Sequence, residues 1–176
     1  MKILVIYKSK TGFAKRYAEI IGREVNGDVL EFGEVTFAKM SEYDVVVYGA
    51  GLYAGVLNGL KKAKEMFAKS SAGSFVIFAT GATPNEVKDK IDEVWRMNLS
   101  EEELKDIPHF YMQGGLCYEK MAFFSKILMK MMASSLEKQN SASNGGKVQE
   151  PSIRSSYDIS SDEYTKEIVD FLMNLS

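Results

Sequence analysis

The residues best placed to do chemistry follow the first apolar segment of the chain, residues 3–7. They combine small hydroxyl side chains with a lysine and a glycine: Ser9, Lys10, Thr11, Gly12, Phe13 and Ala14. Such a segment before a helix lets several backbone N–H groups converge on an anion, and the helix dipole adds partial positive charge. It therefore predicts a phosphate-binding loop. The same residue types also cap helices without any ligand, so this loop alone leaves both interpretations open.

Two more segments of small residues follow the apolar runs 45–48 and 75–79. The first contains Gly49, Ala50, Gly51, Leu52, Tyr53, Ala54 and Gly55, and the second contains Thr80, Gly81, Ala82, Thr83, Pro84 and Asn85. Ligands of a doubly wound parallel sheet bind at the carboxyl ends of its strands, so we expect these segments to meet the first loop there. Small residues would let main-chain amides approach a ligand closely. The alternative is that the glycines cap helices and that Tyr53 is an ordinary, partly buried aromatic residue.

The single cysteine and the single histidine argue against metal or nucleophilic chemistry. Cys117 cannot form an internal disulfide, and it shares no recognised metal-ligand spacing with His109. We expect no metal site. Cys117 is predicted to be an inert thiol because no basic residue nearby would activate it, and His109 is predicted to be a structural or surface residue. No catalytic side chain is expected.

Composition favours one α/β domain spanning residues 1–176, with an insertion or long loop at about 114–160. Of the 176 residues, 45% are hydrophobic and 26% charged. The net charge of -2 gives no electrostatic case for nucleic-acid binding. No apolar stretch reaches the roughly 18 to 20 residues that span a bilayer, and the first residues read as a strand rather than a signal peptide. A cytoplasmic location is expected, with attachment to a membrane surface open.

Strands and helices alternate along the chain and are expected to hold these loops. Strands are predicted at 3–7, 28–32, 45–48, 75–79 and 110–112, and helices at 14–25, 57–68, 85–97 and 163–175. Alternating strands and helices predict a five-stranded parallel sheet with helices on both faces, a three-layer sandwich.

Two capping boxes and one irregular segment refine this prediction. Ser100 with Glu103 predicts the start of a short helix, and Ser160 with Glu163 predicts the start of the last one. That last helix is expected to place five residues on one side against the sheet: Tyr164, Ile168, Phe171, Leu172 and Leu175. Residues 133–160 are rich in Ser, Asn and Gly and are predicted to be a long loop.

The run from Val5 to Phe13, followed by Ala18 and Ile21, resembles the amino-terminal signature of flavodoxins. The resemblance implies a flavodoxin-like fold that holds one flavin mononucleotide (FMN), with the phosphate on Ser9, Thr11, Gly12, Phe13 and Ala14. Flavodoxins usually have threonine where this chain has Ala14, which removes one hydroxyl contact to the phosphate. Segment 49–55 resembles the family loop that lies against the flavin ring. Residues 80–83 are expected at the pyrimidine edge of the flavin ring, and Lys10 and Gly115 are also expected to contact FMN.

Residues 112–132 are the most distinctive part of the chain. They resemble the insertion after the fifth strand of flavodoxin-type, menaquinone-dependent protoporphyrinogen oxidases. Within them, residues 120–132 can form a helix with one broad apolar side flanked by lysines. This helix can pack on its own domain, bind a partner chain through its methionines, or lie on an anionic membrane surface. All three roles are open.

Three functions follow for testing. The first is an FMN-binding protein that transfers electrons to a redox partner protein. The second is an oxidase of heme biosynthesis that passes electrons from a porphyrinogen to a quinone. The third is a flavodoxin-like interaction domain without a cofactor. In the first two, the flavin supplies the redox chemistry and the protein only binds and tunes it.

Overall fold

The computed structural model describes residues 1–116 and 157–175. Six strands belong to its main sheet: β1 (Ile3–Lys8), β2 (Asp28–Glu31), β3 (Val45–Tyr53), β4 (Val56–Leu57), β5 (Ser74–Gly81) and β6 (His109–Gln113). Five of them are parallel neighbours in the order β2-β1-β3-β5-β6. Strand β4 pairs antiparallel with the end of β3. A separate pair joins β7 (Gly115–Leu116) to β8 (Tyr157–Asp158).

Helices cover both faces of this sheet. The α-helices are α1 (Phe13–Glu24), α2 (Phe37–Met40), α3 (Leu60–Ala68), α4 (Lys88–Asn98), α5 (Glu103–Asp106) and α6 (Lys166–Asn174), and 3-10 turns occupy Phe32–Glu34 and Asp162–Thr165. Alternate residues of each strand face opposite layers. In β1, for example, Val5 packs with residues of α1 and α6, whereas Ile6 packs with residues of α3 and α4.

The predicted fold class is confirmed. Numbered among themselves, the five parallel strands have the order 2-1-3-4-5, which is that of flavodoxin-like folds. This order places the topological switch point between β1 and β3, where the loop after β1 and the end of β3 lie side by side. None of the helices in the described ranges is long and apolar enough to cross a membrane.

Strand ends differ most from the sequence prediction. Residues 49–53 and 80–81 were expected in loops, but they continue β3 and β5, because Gly49, Ala50 and Gly51 pair in register with Phe78, Ala79 and Thr80. The chain then turns back through Ala54 and Gly55 into β4. Helix α3 consequently begins at Leu60 instead of residue 57.

The carboxyl-terminal segment also departs from the prediction. Ser161, not Ser160, accepts the hydrogen bond from Glu163 N, at 3.3 Å. Ser160 instead bonds to Asp158. A 3-10 turn precedes α6, and Leu175, which was expected against the sheet, is 41% exposed.

Residues 157–158, which were expected in the long loop, form β8. Cys117, the helix predicted at 120–132 and residues 133–156 lie outside the described residues. The capping box at Ser100 is confirmed, since Glu103 N donates to Ser100 Oγ at 3.2 Å and Ser100 N donates to Glu103 Oε2 at 2.9 Å.

Candidate functional site

The turn between β1 and α1 is shaped by Gly12. Its φ of 106° lies in the left-handed region, which glycine adopts without a side-chain clash. Its N–H donates to Ser9 Oγ at 3.0 Å, so the serine hydroxyl holds the turn closed. The Gly12 carbonyl accepts from Arg16 N at 3.0 Å and starts the helical hydrogen bonding. The turn is therefore preformed by its own hydrogen bonds.

The first turn of α1 offers main-chain donors. Phe13, Ala14 and Lys15 precede the first residue with a helical acceptor, so their N–H groups have none within the helix. The N-cap residue is Gly12, which has no side chain and therefore leaves the helix start uncapped, and the first turn of α1 contains no acidic residue. These amides, together with the positive end of the helix dipole, can therefore bind an anion. Ala14 can contribute only its main chain, because its methyl group is buried in the core at 2% exposure.

The end of β3 lies next to this turn. The Lys10 Nζ atom lies 6.0 Å from the centroid of the Tyr53 ring. Tyr53 is 51% exposed, while Ala50, in the same strand, is fully buried. The structure thus brings two of the predicted segments together through Lys10 and Tyr53, and it places Ala50 in the core behind them.

The ends of β5 and β6 complete the same edge of the sheet. A Cβ added at Gly81 would lie 3.0 Å from Leu52 Cδ1 and 2.8 Å from the Tyr111 hydroxyl oxygen. The Tyr111 hydroxyl donates to Thr83 O at 2.9 Å. Gly114 N donates to Gly81 O at 2.9 Å. Leu52 therefore lies close to Gly81, the last residue of β5, and Tyr111 holds the segment that follows it.

Gly114 connects this edge back to the first turn. A Cβ at Gly114 would lie 3.1 Å from Phe13 Cγ, so only glycine fits against that ring without movement. Its neighbour Gly115, the glycine predicted from the sequence to belong to the site, pairs with Asp158 in the small two-stranded sheet. Two adjacent glycines carry no signal that tells which one meets an aromatic ring.

The remaining predicted residues lie around these contacts. Thr11 is partly buried in the first turn, and Gly51 lies in β3 beside Thr80, whose side chain is buried at 4% exposure. Ala54 and Gly55 form the hairpin turn after β3, and Ala82 is exposed after β5.

Gln113 ties the carboxyl-terminal segment to the site. It is buried, its N–H donates to Asn85 Oδ1 at 3.1 Å, and its side-chain oxygen accepts from Tyr164 at 3.2 Å. The Tyr17 hydroxyl donates to Gln113 O and accepts from Ser161 N. Burial raises the pKa of Tyr17 to about 12, so its phenol keeps its proton at neutral pH. None of these contacts could be read from local sequence, because the partners are far apart in the chain.

His109 lies at the opposite end of the strands. Its Nδ1 atom is 2.7 Å from Ile107 O, and its ring lies 4.8 Å from that of Trp95. A structural role is consistent with this placement, at the amino end of β6. Within residues 1–116 and 157–175, no three His, Cys, Asp or Glu side chains are grouped so as to hold a metal ion.

Comparisons with known proteins give one family match and several similar structures. No curated protein sequence matches the chain. An archaeal flavodoxin structure is 20% identical and has a TM-score of 0.42, with 64% of this chain and 85% of that chain covered. The WrbA-like flavodoxin of Agrobacterium tumefaciens is 15% identical and has a TM-score of 0.43, with coverages of 70% and 87%. A Lactobacillus acidophilus flavoprotein, solved in complex with FMN, is 19% identical and has a TM-score of 0.43, with coverages of 64% and 91%.

The family match covers far more than half of the sequence. It extends over residues 4–143, from the first strand onward, and the family is described as the flavodoxin domain. The chain therefore belongs to the flavodoxin domain family.

Proposed function

We propose that this chain binds one FMN at the carboxyl edge of its sheet and transfers electrons to a redox partner protein. The observation that carries the proposal is the uncapped start of α1 at the edge of the sheet. Lys10, in the turn before it, lies over Tyr53 at the end of β3, and Phe13 lies against Gly114, the residue after β6. One end of this arrangement suits a phosphate, and the other suits a flat aromatic ring. Membership of the flavodoxin domain family supports the same assignment.

The phosphate would lie on the amides of Phe13, Ala14 and Lys15. Ser9 and Gly12 shape the turn through their mutual hydrogen bond, and Thr11 supplies a hydroxyl beside it. A hydrogen bond to a charged group contributes about 1.5 to 3 kcal/mol, so several main-chain donors can hold the group without the missing hydroxyl at position 14.

The ring would lie against Leu52 and Tyr53. The half-exposed Tyr53 ring can stack on a flavin. Gly81 and Gly114 keep the neighbouring strand ends free of side chains, so main-chain groups can approach the pyrimidine edge. FMN, when bound, supplies the electron transfer itself, and the chain's residues only bind it, orient it and limit its contact with water.

A titration with two flavins tests this proposal. Apoprotein is mixed with FMN or with riboflavin, which has the same ring but no phosphate, and quenching of flavin fluorescence is followed. We expect FMN to bind roughly 100-fold more tightly or better, since even one or two charge-assisted hydrogen bonds contribute about 3 kcal/mol. Equal affinities would refute the phosphate site, and no binding of either flavin would refute the function.

The oxidase remains a second candidate because of the sequence resemblance at residues 112–132. The family match is to the flavodoxin domain and lends no support to this more specific activity. Most of the resembling segment lies outside the described residues. The oxidase predicts porphyrin fluorescence from protoporphyrinogen and a menaquinone analogue, faster than with heat-killed protein. Rates equal to that control would refute the oxidase activity and leave electron transfer to a protein partner as the proposed function.

Membrane contact through residues 120–132 is a separate proposal. It predicts that the protein floats with anionic vesicles in a density gradient. Complete recovery in the lipid-free fraction would contradict it.

A further inference from the structure

Asn98, the last residue of α4, makes three hydrogen bonds with its side chain. Its Nδ2 donates to Gly55 O and to Val94 O, both at 2.7 Å. Its Oδ1 accepts from Leu57 N, also at 2.7 Å. A carbonyl can only accept and an amide N–H can only donate, so this network fixes the orientation of the side-chain amide. Both amide hydrogens and one acceptor position are used.

Two of these partners, Gly55 O and Leu57 N, belong to the hairpin that joins β3 to β4. Tyr53 pairs with Val56 and Leu52 pairs with Leu57, so the turn consists of Ala54 and Gly55. Their φ values are 48° and 81°, both positive, as in the tight turns that join two antiparallel strands. Ala54 is one of two non-glycine residues with positive φ in the described ranges. Such a conformation persists only where the surroundings hold it.

The end of α4 supplies those surroundings. A Cβ at Gly55 would lie 2.9 Å from Met97 Cε, so the residue before Asn98 already packs against the turn. Asn98 then clamps the strand on the far side of the turn. Leu57, which is 1% exposed, anchors β4 in the core, and Asn58 N closes the base of the hairpin on Gly51 O at 3.2 Å.

We propose that Asn98 is a positioning residue of the flavin site, which holds the β3–β4 hairpin on α4 so that Leu52 and Tyr53 keep their places against the ring. This inference rests on the proposed function. Asn98 acts on the ring end of the site, whereas Ser9 to Lys15 act on the phosphate end. Removing the Asn98 side chain therefore lowers the affinity for every ligand that contains the flavin ring, whether or not the ligand carries a phosphate.

Two variants and one matched control test the proposal. Asn98→Ala removes all three bonds, and Asn98→Asp keeps an acceptor for Leu57 N while losing both donors. The control is Asn174→Ala, since Asn174 is likewise the last residue of an α-helix but is exposed and away from the hairpin. Each protein is titrated with FMN and with riboflavin, and the midpoint potential of bound FMN is measured.

We expect Asn98→Ala to lower the affinities for FMN and for riboflavin by the same factor, about tenfold, and to shift the midpoint potential of bound FMN. Asn174→Ala is expected to change neither the affinities nor the potential. Asn98→Asp is expected to have a similar effect. In the apoprotein, the Leu57 amide hydrogen of Asn98→Ala is expected to exchange faster with solvent, a readout that needs no flavin.

Unchanged affinity and potential in a folded Asn98→Ala or Asn98→Asp protein would overturn the proposal. So would a loss confined to FMN, because that would place the effect at the phosphate end. If wild-type protein binds neither flavin, the proposed function has failed instead. Faster exchange at Leu57 would then still report the clamp, but the clamp would not belong to a flavin site.

Discussion

Replacing Gly12 by alanine should weaken FMN binding while leaving riboflavin binding unchanged. The φ of 106° and ψ of -23° at this residue are strained for any residue with a Cβ, and such strain costs about 1 to 3 kcal/mol. Without ligand, the turn in the Gly12→Ala protein can relax to an unstrained conformation. FMN binding must then restore the strained conformation, so the whole strain energy is lost from the binding free energy. The dissociation constant for FMN should then rise about 5- to 150-fold.

The matched control is Gly33→Ala. Gly33 lies in the 3-10 turn Phe32–Glu34, outside the turn between β1 and α1, and among the described residues nothing lies within 4 Å of a Cβ added there. Both variants are titrated with FMN and riboflavin by fluorescence, at a temperature well below their unfolding midpoints. If Gly12→Ala bound FMN within twofold of Gly33→Ala, or if it lost riboflavin affinity by the same factor, our placement of the phosphate would be wrong.

Three stability predictions follow from the same structure. Gly49→Ala places a Cβ 1.8 Å from Phe78 Cζ, inside a fully buried ring, and should lower the free energy of unfolding by about 1 to 3 kcal/mol in urea titration; an unchanged midpoint would contradict this. Tyr17→Phe leaves the Gln113 carbonyl and the Ser161 amide without their hydroxyl partner and should lower the free energy of unfolding by about 1 to 3 kcal/mol. It should also remove a loss of stability that wild-type protein shows as pH rises from 10 towards about 12, because burial raises the pKa of this phenol in the folded state alone. Hydrogen bonds from Lys64 and the Ser100 amide lower the pKa of Glu103 below 4.5 in the folded protein. The ionised carboxylate therefore stabilises the fold above that pH, and this stabilisation is lost below it. Glu103→Gln should lower the free energy of unfolding by about 0.5 to 1 kcal/mol at neutral pH and make stability depend less on pH in the acid range.

The sheet could be predicted because its strands are long apolar runs. Residues 3–7, 45–48 and 75–79 are continuous and apolar, which is typical of strands buried on both faces, and the weaker run 28–32 together with 110–112 completed the five parallel strands. Their lengths could not be read in the same way. Gly49 and Gly51 weaken a strand by local propensity, yet pairing with β5 keeps them in the sheet. The partner strand, not the local sequence, decides where β3 ends.

The hairpin after β3 had no recognisable sequence signal. Tight turns of this kind favour Asn-Gly or Asp-Gly, and this chain has Ala54 before Gly55. The turn is held from outside by Asn98, which lies more than forty residues away along the chain. The shift of the helix cap from Ser160 to Ser161 has a similar origin, because two adjacent serines are equal by type and Asp158 and Arg16 engage the first of them.

Of the candidate site, the sequence predicted the segments but not the contacts between them. The glycine and hydroxyl residues before α1 are a local pattern, and the structure places them at an uncapped helix start. The contact of Gly114 with Phe13 and the link of Gln113 to Asn85 join residues that are distant in sequence. Such contacts exist only once the sheet has formed.

A crystal structure of the protein grown with FMN would show directly which residues bind the phosphate and the ring. We expect phosphate oxygens within hydrogen-bond distance of the Phe13, Ala14 and Lys15 amides, and the flavin ring in contact with Tyr53. Density for FMN at any other place, with the start of α1 facing only solvent, would contradict it.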